Sequence, residues 1–166
     1  MDDLTLQDLA RKAGVALAQQ GLMLATAESC TGGWLGQTIT SIAGSSSWYD
    51  RGFITYASVS KHEMLGVSTA TLEQYGAVSE QTASEMAAGV ITHSHAHVAV
   101  SITGFTEGAP GQPAGLVHFG CAQRSGPVRH RVECFGAVGR AEVRLSALRV
   151  ALAMLHDGLS AVAKAA

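Results

Sequence analysis

The chain has 166 residues, 47% hydrophobic and 14% charged, which fits one globular domain spanning 1–166 and excludes a disordered chain. Its net charge of −2 excludes the basic surface that holds a nucleic-acid backbone. Three scattered cysteines without a CxxC pair exclude a disulfide framework, and we expect a cytoplasmic protein without membrane contacts because no signal peptide or membrane-length apolar run is evident.

The first part of the chain alternates helical and strand patterns. Thr5 and Asp8 have the spacing of a capping box, and apolar residues at helical spacing then predict a first helix. Positions 22–26 predict a strand. The turn over 28–33 opens a second predicted helix, which we expect to end at Gly44.

The middle of the chain continues the alternation. Positions 52–56 predict a second strand, followed by short helices at 59–65 and 71–75. Ser79 is expected to cap a longer helix. The segment 97–102 is nearly all apolar and short, which predicts a strand buried on both faces.

The last part of the chain predicts a loop, a hairpin and a helix. A glycine- and proline-rich loop is expected at 104–115. Strands at 116–122 and 128–135 are separated by a Ser-Gly-Pro turn and should pair antiparallel. A long helix follows from about 140 to 159. Early alternation and a late hairpin together predict an α/β fold with a mixed sheet and helices on both faces.

The turn between the first strand and the second helix is the first candidate site. In the segment 26–33, TAESCTGG, Ser29 lies just past a strand and just before a helix start, whose free N–H groups suit a phosphate or an oxyanion. Gly32 and Gly33 would let a substrate approach the backbone. The alternative is that Ser29 or Thr31 only caps the helix.

Two further segments contain candidate functional groups. Lys61, if it lies in a dry pocket, could lose its proton and activate a serine, with Tyr56 relaying the proton; a single lysine is more often a solvated surface charge. Arg140 and Arg144 share one helix face near its N-terminus, where the helix dipole disfavours cations. An anion held between them would explain this, and so would pairing with nearby carboxylates such as Glu142.

The loop after the buried strand is another candidate. It is approached through Thr103 and Gly104, and in an open α/β sheet such a loop lies at the ligand crevice, although it could be a plain surface connection. Histidines at 93, 95 and 97 alternate and could bind a metal if they lay on one strand. The run spans a helix end and a strand start, so we predict no metal site.

Together these segments resemble the C-terminal domain family of the competence-damage protein CinA, in the form of its stand-alone nicotinamide-nucleotide amidohydrolases. The strongest match is the segment 26–33, and the likeness extends over nearly the whole chain. The further matches, in chain order, are 42–46, 51–53, Tyr56 with Lys61, 76–79, and the spacing of Gly139 and Arg140 to Arg144.

The resemblance implies a three-layer α/β/α sandwich that self-associates as a homo-oligomer, a dimer or larger. It also implies hydrolysis of the carboxamide of nicotinamide mononucleotide, a step of pyridine nucleotide salvage and NAD metabolism, without a cofactor or a metal. By residue match, Ser29 would be the nucleophile, Lys61 its base, and Tyr56 their neighbour in proton transfer. Our own physical reasoning adds the substrate-binding candidates Thr31, Gly32, Gly33, Thr103, Gly104, Arg140 and Arg144.

Two departures from the family pattern support alternatives. Ser58 stands where the family usually has an asparagine, and the glycine loop after Gly104 is a few residues shorter and contains Phe105 and Glu107, which could narrow the pocket or repel a phosphate. A CinA-like paralogue that keeps the nucleotide pocket but has lost turnover would fit these changes. A histidine-dependent metallohydrolase is a third hypothesis, which requires bound metal.

Overall fold

The computed structural model describes residues 4–165, with side chains described up to residue 160. None of the helices in this part of the chain is long and apolar enough to cross a bilayer. The strands are β1 (Leu24–Glu28), β2 (Tyr49–Ile54), β3 (Val98–Phe105), β4 (Leu116–Gln123) and β5 (Arg129–Cys134). The helices are α1 (Leu6–Gln20), α2 (Trp34–Thr40), α3 (Ser58–Leu65), α4 (Thr69–Tyr75), α5 (Glu80–Thr92) and α6 (Arg140–Ala165), with a short 3₁₀ helix at Ser45–Ser47.

The five strands form one mixed sheet in the order β2-β1-β3-β4-β5. Strands β2, β1 and β3 are parallel, whereas β4 and β5 are antiparallel, which confirms the predicted hairpin. Glu28, the last residue of β1, pairs with Ile54 of β2 and with Ile102 of β3. The carboxyl ends of three parallel strands therefore meet at one edge of the sheet, where open α/β sheets bind ligands.

Helices cover both faces of the sheet. Large side chains such as Leu24, Val100 and Phe119 point from one face into a core shared with α1, α2 and α6. The opposite face carries small residues such as Ala25 and Ala99, which pack against α3 and α5. Because adjacent strand residues point to opposite faces, one sheet supplies both cores, and the predicted three-layer α/β/α sandwich is confirmed.

The first helix ends at Gln20 with Gly21 as its C-cap, and a hydrogen bond just beyond the cap delays the first strand. The capping box is confirmed, since the Asp8 amide donates to Thr5 Oγ1 at 3.1 Å and the Thr5 amide to the Asp8 carboxylate at 3.1 Å. Gly21 adopts φ 65°, and the Leu22 amide still donates to the Leu17 carbonyl at 2.9 Å. Position 22 therefore closes the helix, so that β1 begins at Leu24 instead of the predicted 22.

Other boundaries are corrected by local hydrogen bonds. Helix α2 stops at Thr40, before the predicted Gly44, because the Thr40 and Ser41 hydroxyls donate back to carbonyls of the last turn. Strand β3 runs on to Phe105, which pairs with Leu116, so the loop predicted at 104–115 starts at Thr106. Strand β2 covers Tyr49–Ile54, three residues earlier than predicted at its start, and α6 extends to Ala165.

The contact between α5 and the end of α3 depends on a glycine. A Cβ added at Gly89 would collide with the backbone carbonyl of Leu65. Gly89→Ala gains helix propensity of about 1 kcal/mol but must push α3 away, at a cost of about 1–3 kcal/mol. We expect a net loss in the free energy of unfolding, measured by urea denaturation.

Ala88→Ser is the matched control, because position 88 precedes Gly89 on α5 and is exposed. Its free energy of unfolding should change by less than about 0.5 kcal/mol. A Gly89→Ala variant as stable as the parent protein would show that α3 does not depend on this close approach.

Candidate active site

A cavity of about 270 Å³ opens at the edge of the sheet where β1, β2 and β3 end. Ser29 follows β1, Tyr56 lies just past β2, and Thr103 belongs to the end of β3. Helix α3 contributes Lys61, and the first residue of α6 contributes Arg140. Five candidates from separate parts of the sequence thus line one cavity, together with Gly104.

Ser29 and Lys61 are in direct contact. The Lys61 ammonium Nζ donates to Ser29 Oγ at 3.0 Å and to the backbone carbonyl of Thr55 at 2.6 Å. Lys61 is 1% exposed, and both partner residues are buried. No carboxylate forms an ion pair with this amine among the side chains of residues 4–160. The amine is therefore held by neutral dipoles, which orient it but stabilise its positive charge less than a carboxylate would.

Burial lowers the pKa of Lys61 from its ordinary value to about 8, because a desolvated ammonium is disfavoured. About a tenth of the amine is then neutral at pH 7, and it can accept a proton from a hydroxyl. Burial has the opposite consequence for the neighbouring thiol, raising the pKa of Cys30 to about 11. Cys30 therefore stays protonated, which leaves Ser29 as the activated nucleophile candidate.

A buried carboxylate fixes the turn that carries Ser29. Glu28 Oε1 accepts from the Leu35 amide at 2.8 Å, and Oε2 accepts from the Gly36 amide at 3.0 Å. The Ser29 amide itself donates to the Ile102 carbonyl of β3 at 3.0 Å. The first turn of α2 is thus capped from within the protein, so these amides do not face the cavity as the sequence had predicted for a phosphate or an oxyanion.

The two glycines of the turn are required by the backbone. Gly33 has φ 98°, and a Cβ there would lie 2.8 Å from Cδ1 of Ile54. Gly32 has φ 60°, and its amide donates to the Ser29 carbonyl at 3.0 Å. Neither they nor Thr31 line the cavity, so they shape the turn and are not placed for the predicted approach of a substrate.

The two predicted arginines are separated by the structure. Arg144 Nη2 donates to the Thr31 carbonyl at 3.0 Å, and its guanidinium stacks 5.6 Å from the ring centroid of Trp34. Arg140 lines the cavity, and its Nη2 lies 3.3 Å from Oε2 of Glu107. The structure therefore separates the two guanidinium groups: Arg144 contacts the turn that carries Ser29, and Arg140 lines the cavity.

Tyr56 lies at the mouth of the cavity and is 65% exposed. Among the described side chains, no hydrogen bond joins its hydroxyl to Ser29 or Lys61, the two residues it was predicted to assist. Glu107 and, to a smaller extent, Tyr56 raise the pKa of Arg140. The exposed mouth of the cavity therefore differs from its interior, where Ser29 and Lys61 are buried.

The other polar candidates are engaged within the fold. Thr103 Oγ1 donates to the Ala77 carbonyl at 2.7 Å and so ties the cavity wall to the segment before α5. His97 Nδ1 accepts from the Met23 amide at 2.9 Å, and His93 Nδ1 bonds the Gly89 carbonyl at 2.8 Å. The described part of the chain contains no group of three side chains placed to bind a metal ion.

A larger cavity of about 570 Å³ lies beside α1. The described residues that line it include Arg11, Lys12 and His156 but no serine, threonine or cysteine. Volume alone would favour this cavity. Chemistry favours the smaller one, because only there do the described residues bring a hydroxyl and a desolvated amine together.

Comparison with known proteins identifies the family of the chain. A model of the CinA C-terminal domain family matches residues 6–159. The chain belongs to this family. Nicotinamide-nucleotide amidohydrolase PncC from Enterobacter agglomerans is 48% identical to it over 150 residues, which are 89% of this chain and 91% of that protein.

Two further relatives extend the comparison. Nicotinamide-nucleotide amidohydrolase PncC from Escherichia coli strain K12 is 44% identical over 158 residues, covering 93% of this chain and 95% of that protein. The crystal structure of competence/damage inducible protein CihA from Agrobacterium tumefaciens superposes with a TM-score of 0.90 at 44% identity, covering 96% of this chain and 99% of that one. The CinA-like fold predicted from the sequence is therefore confirmed.

In this member of the CinA C-terminal domain family, sequence reasoning missed Glu28. Its signal was a carboxylate at the end of a strand otherwise made of apolar or small residues, directly before a glycine-containing turn. Such a buried charge needs partners, and the first amides of the next helix are the nearest unpaired donors. Glu28 could therefore have been assigned as a cap from the sequence.

Replacing Glu28 tests this cap. In Glu28→Gln one amide oxygen can still accept a hydrogen bond, but the side-chain NH₂ would face a second backbone N–H. We expect a loss of about 1–3 kcal/mol in the free energy of unfolding, measured by urea denaturation. Glu73→Gln, on the exposed surface of α4, is the control and should change it by less than about 0.5 kcal/mol. Equal stabilities of the two variants would contradict the cap.

Proposed function

We propose that this protein hydrolyses the carboxamide of nicotinamide mononucleotide to give nicotinic acid mononucleotide and ammonia. The observation that carries the proposal is the 3.0 Å contact between the buried Lys61 amine and the Ser29 hydroxyl at the cavity. The names of relatives 44–48% identical over most of the chain supply the substrate. The pair itself supports acyl transfer as the reaction class, since a neutral amine can activate a serine as a nucleophile.

Acylation would begin with Lys61 in its neutral form. The Thr55 carbonyl accepts one N–H of the amine and leaves its lone pair free to take the Ser29 proton as Oγ attacks the carboxamide carbon. The amide of Cys30 follows the nucleophile and donates to no backbone carbonyl among the described residues, so it can stabilise the oxyanion. The Lys61 ammonium then returns the proton to the departing nitrogen, and ammonia leaves.

Deacylation would reuse the same base. Water attacks the acyl-serine, Lys61 takes a proton from it, and Ser29 Oγ leaves and is reprotonated as the carboxylate product forms. Tyr56 lies at the mouth, so its proposed part in proton transfer requires bound substrate or water between it and the pair. Arg140 is the proposed partner of the substrate phosphate, and Thr103 and Gly104 form the wall beside the acyl group.

The alternative function is a nucleotide-binding module without turnover. It is favoured by Glu107, whose carboxylate stands opposite Arg140 at the mouth of the cavity. This alternative predicts that nicotinamide mononucleotide binds without any release of ammonia. Calorimetry and an ammonia assay on the same preparation separate the two functions.

Removing either member of the pair tests the enzymatic proposal. Ser29→Ala and Lys61→Met should each lower kcat/KM for nicotinamide mononucleotide by about 10²–10⁴-fold, because the nucleophile or its base is lost. Ammonia release is the measurement. Ser125→Ala and Lys12→Met, both exposed, are the matched controls and should retain parental rates. Parental activity in either Ser29→Ala or Lys61→Met would remove the mechanism.

The lowered pKa of Lys61 sets the expected pH dependence. Only the neutral amine is a base, so kcat/KM should rise about tenfold per pH unit on the acid side and level off above about pH 8. Initial rates between about pH 6 and pH 10 measure this profile. A profile that falls as pH rises through this range would mean that the protonated amine is the active form.

A further inference from the structure

We propose that Glu107 weakens nucleotide binding at this site, because its carboxylate occupies the Arg140 guanidinium in the free protein and must be displaced by the substrate phosphate. The inference rests on the proposed function, which places a nucleotide phosphate near Arg140. It assigns to one loop residue a competition with the phosphate that raises the KM for a nucleotide and leaves that for a nucleoside unchanged.

The geometry places the two groups across the mouth of the cavity. Glu107 comes from the loop after β3, whereas Arg140 is the first residue of α6, and both line the cavity. Their charged atoms are 3.3 Å apart, with Glu107 and Arg140 side chains 67% and 47% exposed. An anion that enters the cavity thus finds its cation already paired.

The pair is weak enough to be exchanged. A solvent-exposed ion pair such as Glu107–Arg140 changes an equilibrium constant by a few-fold at most, because water screens both charges. A phosphate carries up to twice the charge of a carboxylate and offers more acceptor oxygens to a guanidinium fork. A phosphomonoester can therefore displace Glu107 at small cost, whereas a nucleoside, which lacks the phosphate, has no group to replace it.

The loop keeps Glu107 near the mouth after it is displaced. On one side of it Thr106 is buried, and on the other Gly108 has φ 87°. A Cβ at Gly108 would lie 3.1 Å from both the Ala114 nitrogen and the Gln112 oxygen, so the backbone there is closely packed. Glu107 is therefore expected to move by side-chain rotation, and its charge keeps competing with the bound phosphate.

Glu107→Gln tests the inference by removing the charge and keeping the size. The probes are nicotinamide mononucleotide and nicotinamide riboside, which has the same carboxamide but no phosphate. We expect the KM for the mononucleotide to fall about two- to fivefold at low salt with kcat unchanged, and the KM for the riboside to stay the same. The difference should shrink as salt is added, because ions screen Arg140.

Two further variants make the test specific. In an Arg140→Ala background the Glu107→Gln change should no longer alter the KM for the mononucleotide, since the cation it competes for is gone. Glu142→Gln removes an equal, exposed charge two residues from Arg140 without vacating the pair, and should change that KM less than Glu107→Gln does.

Several outcomes would overturn the inference. An unchanged KM for the mononucleotide in Glu107→Gln would show that the carboxylate does not compete with the phosphate. An equal rise of KM for both substrates would show that Glu107 binds the sugar or supports the loop. If the parent releases no ammonia, the proposed function fails, and calorimetric titration with nicotinamide mononucleotide decides about Glu107 by itself. If nicotinamide mononucleotide binds Glu107→Gln more tightly than the parent protein, the inference is still supported. If it binds both equally, or binds neither, the inference is rejected.

Discussion

The site depends on keeping a lysine amine out of water without giving it a negative partner. A carboxylate beside Lys61 would stabilise the ammonium and keep the amine protonated at neutral pH, whereas bulk water would restore its ordinary pKa. The fold avoids both, since a backbone carbonyl and a serine hydroxyl are the hydrogen-bond acceptors that the described residues place on this amine. That carbonyl belongs to Thr55, just past β2, so the end of an edge strand orients the base. The close approach of α5 to the end of α3 at Gly89 keeps the helix that carries Lys61 in place.

Charges near the site divide into those that hold the nucleophile turn and those that face the cavity. Glu28 accepts hydrogen bonds from amides in the first turn of α2, and Arg144 donates to the Thr31 carbonyl. Glu28 and one N–H group of Arg144 thus bond backbone groups of the segment that includes Ser29. Arg140 and Glu107 are exposed and paired with each other at the mouth of the cavity, which leaves them exchangeable. Burial therefore separates structural charges from those available to a substrate.

The sequence was sufficient for the order of elements and insufficient for the contacts between them. Capping residues and apolar periodicity predicted the helices and strands, because those signals act within a few residues. The approach of Lys61 to Ser29 was expected only by resemblance, since the two lie 32 residues apart and meet through the pairing of β1 with β2. Arg144 was assigned to an anion because helical spacing shows that it shares a helix face with Arg140. The spacing does not show that the turn after β1 packs against Arg144.

The cavity changes character from one end to the other, and this polarity bears on which molecule fits it. Its interior holds a desolvated amine and a buried hydroxyl, where an additional charge would be costly. Its mouth has an arginine and a glutamate in contact with water, where a charge is tolerated and can be exchanged. A molecule with an uncharged amide at one end and an anion at the other satisfies both ends, whereas a uniformly apolar or a uniformly charged one would leave one end unsatisfied. A mononucleotide of nicotinamide has this distribution, apart from its cationic ring. The positive charge of that ring must be accommodated by neutral dipoles and by the open mouth of the cavity.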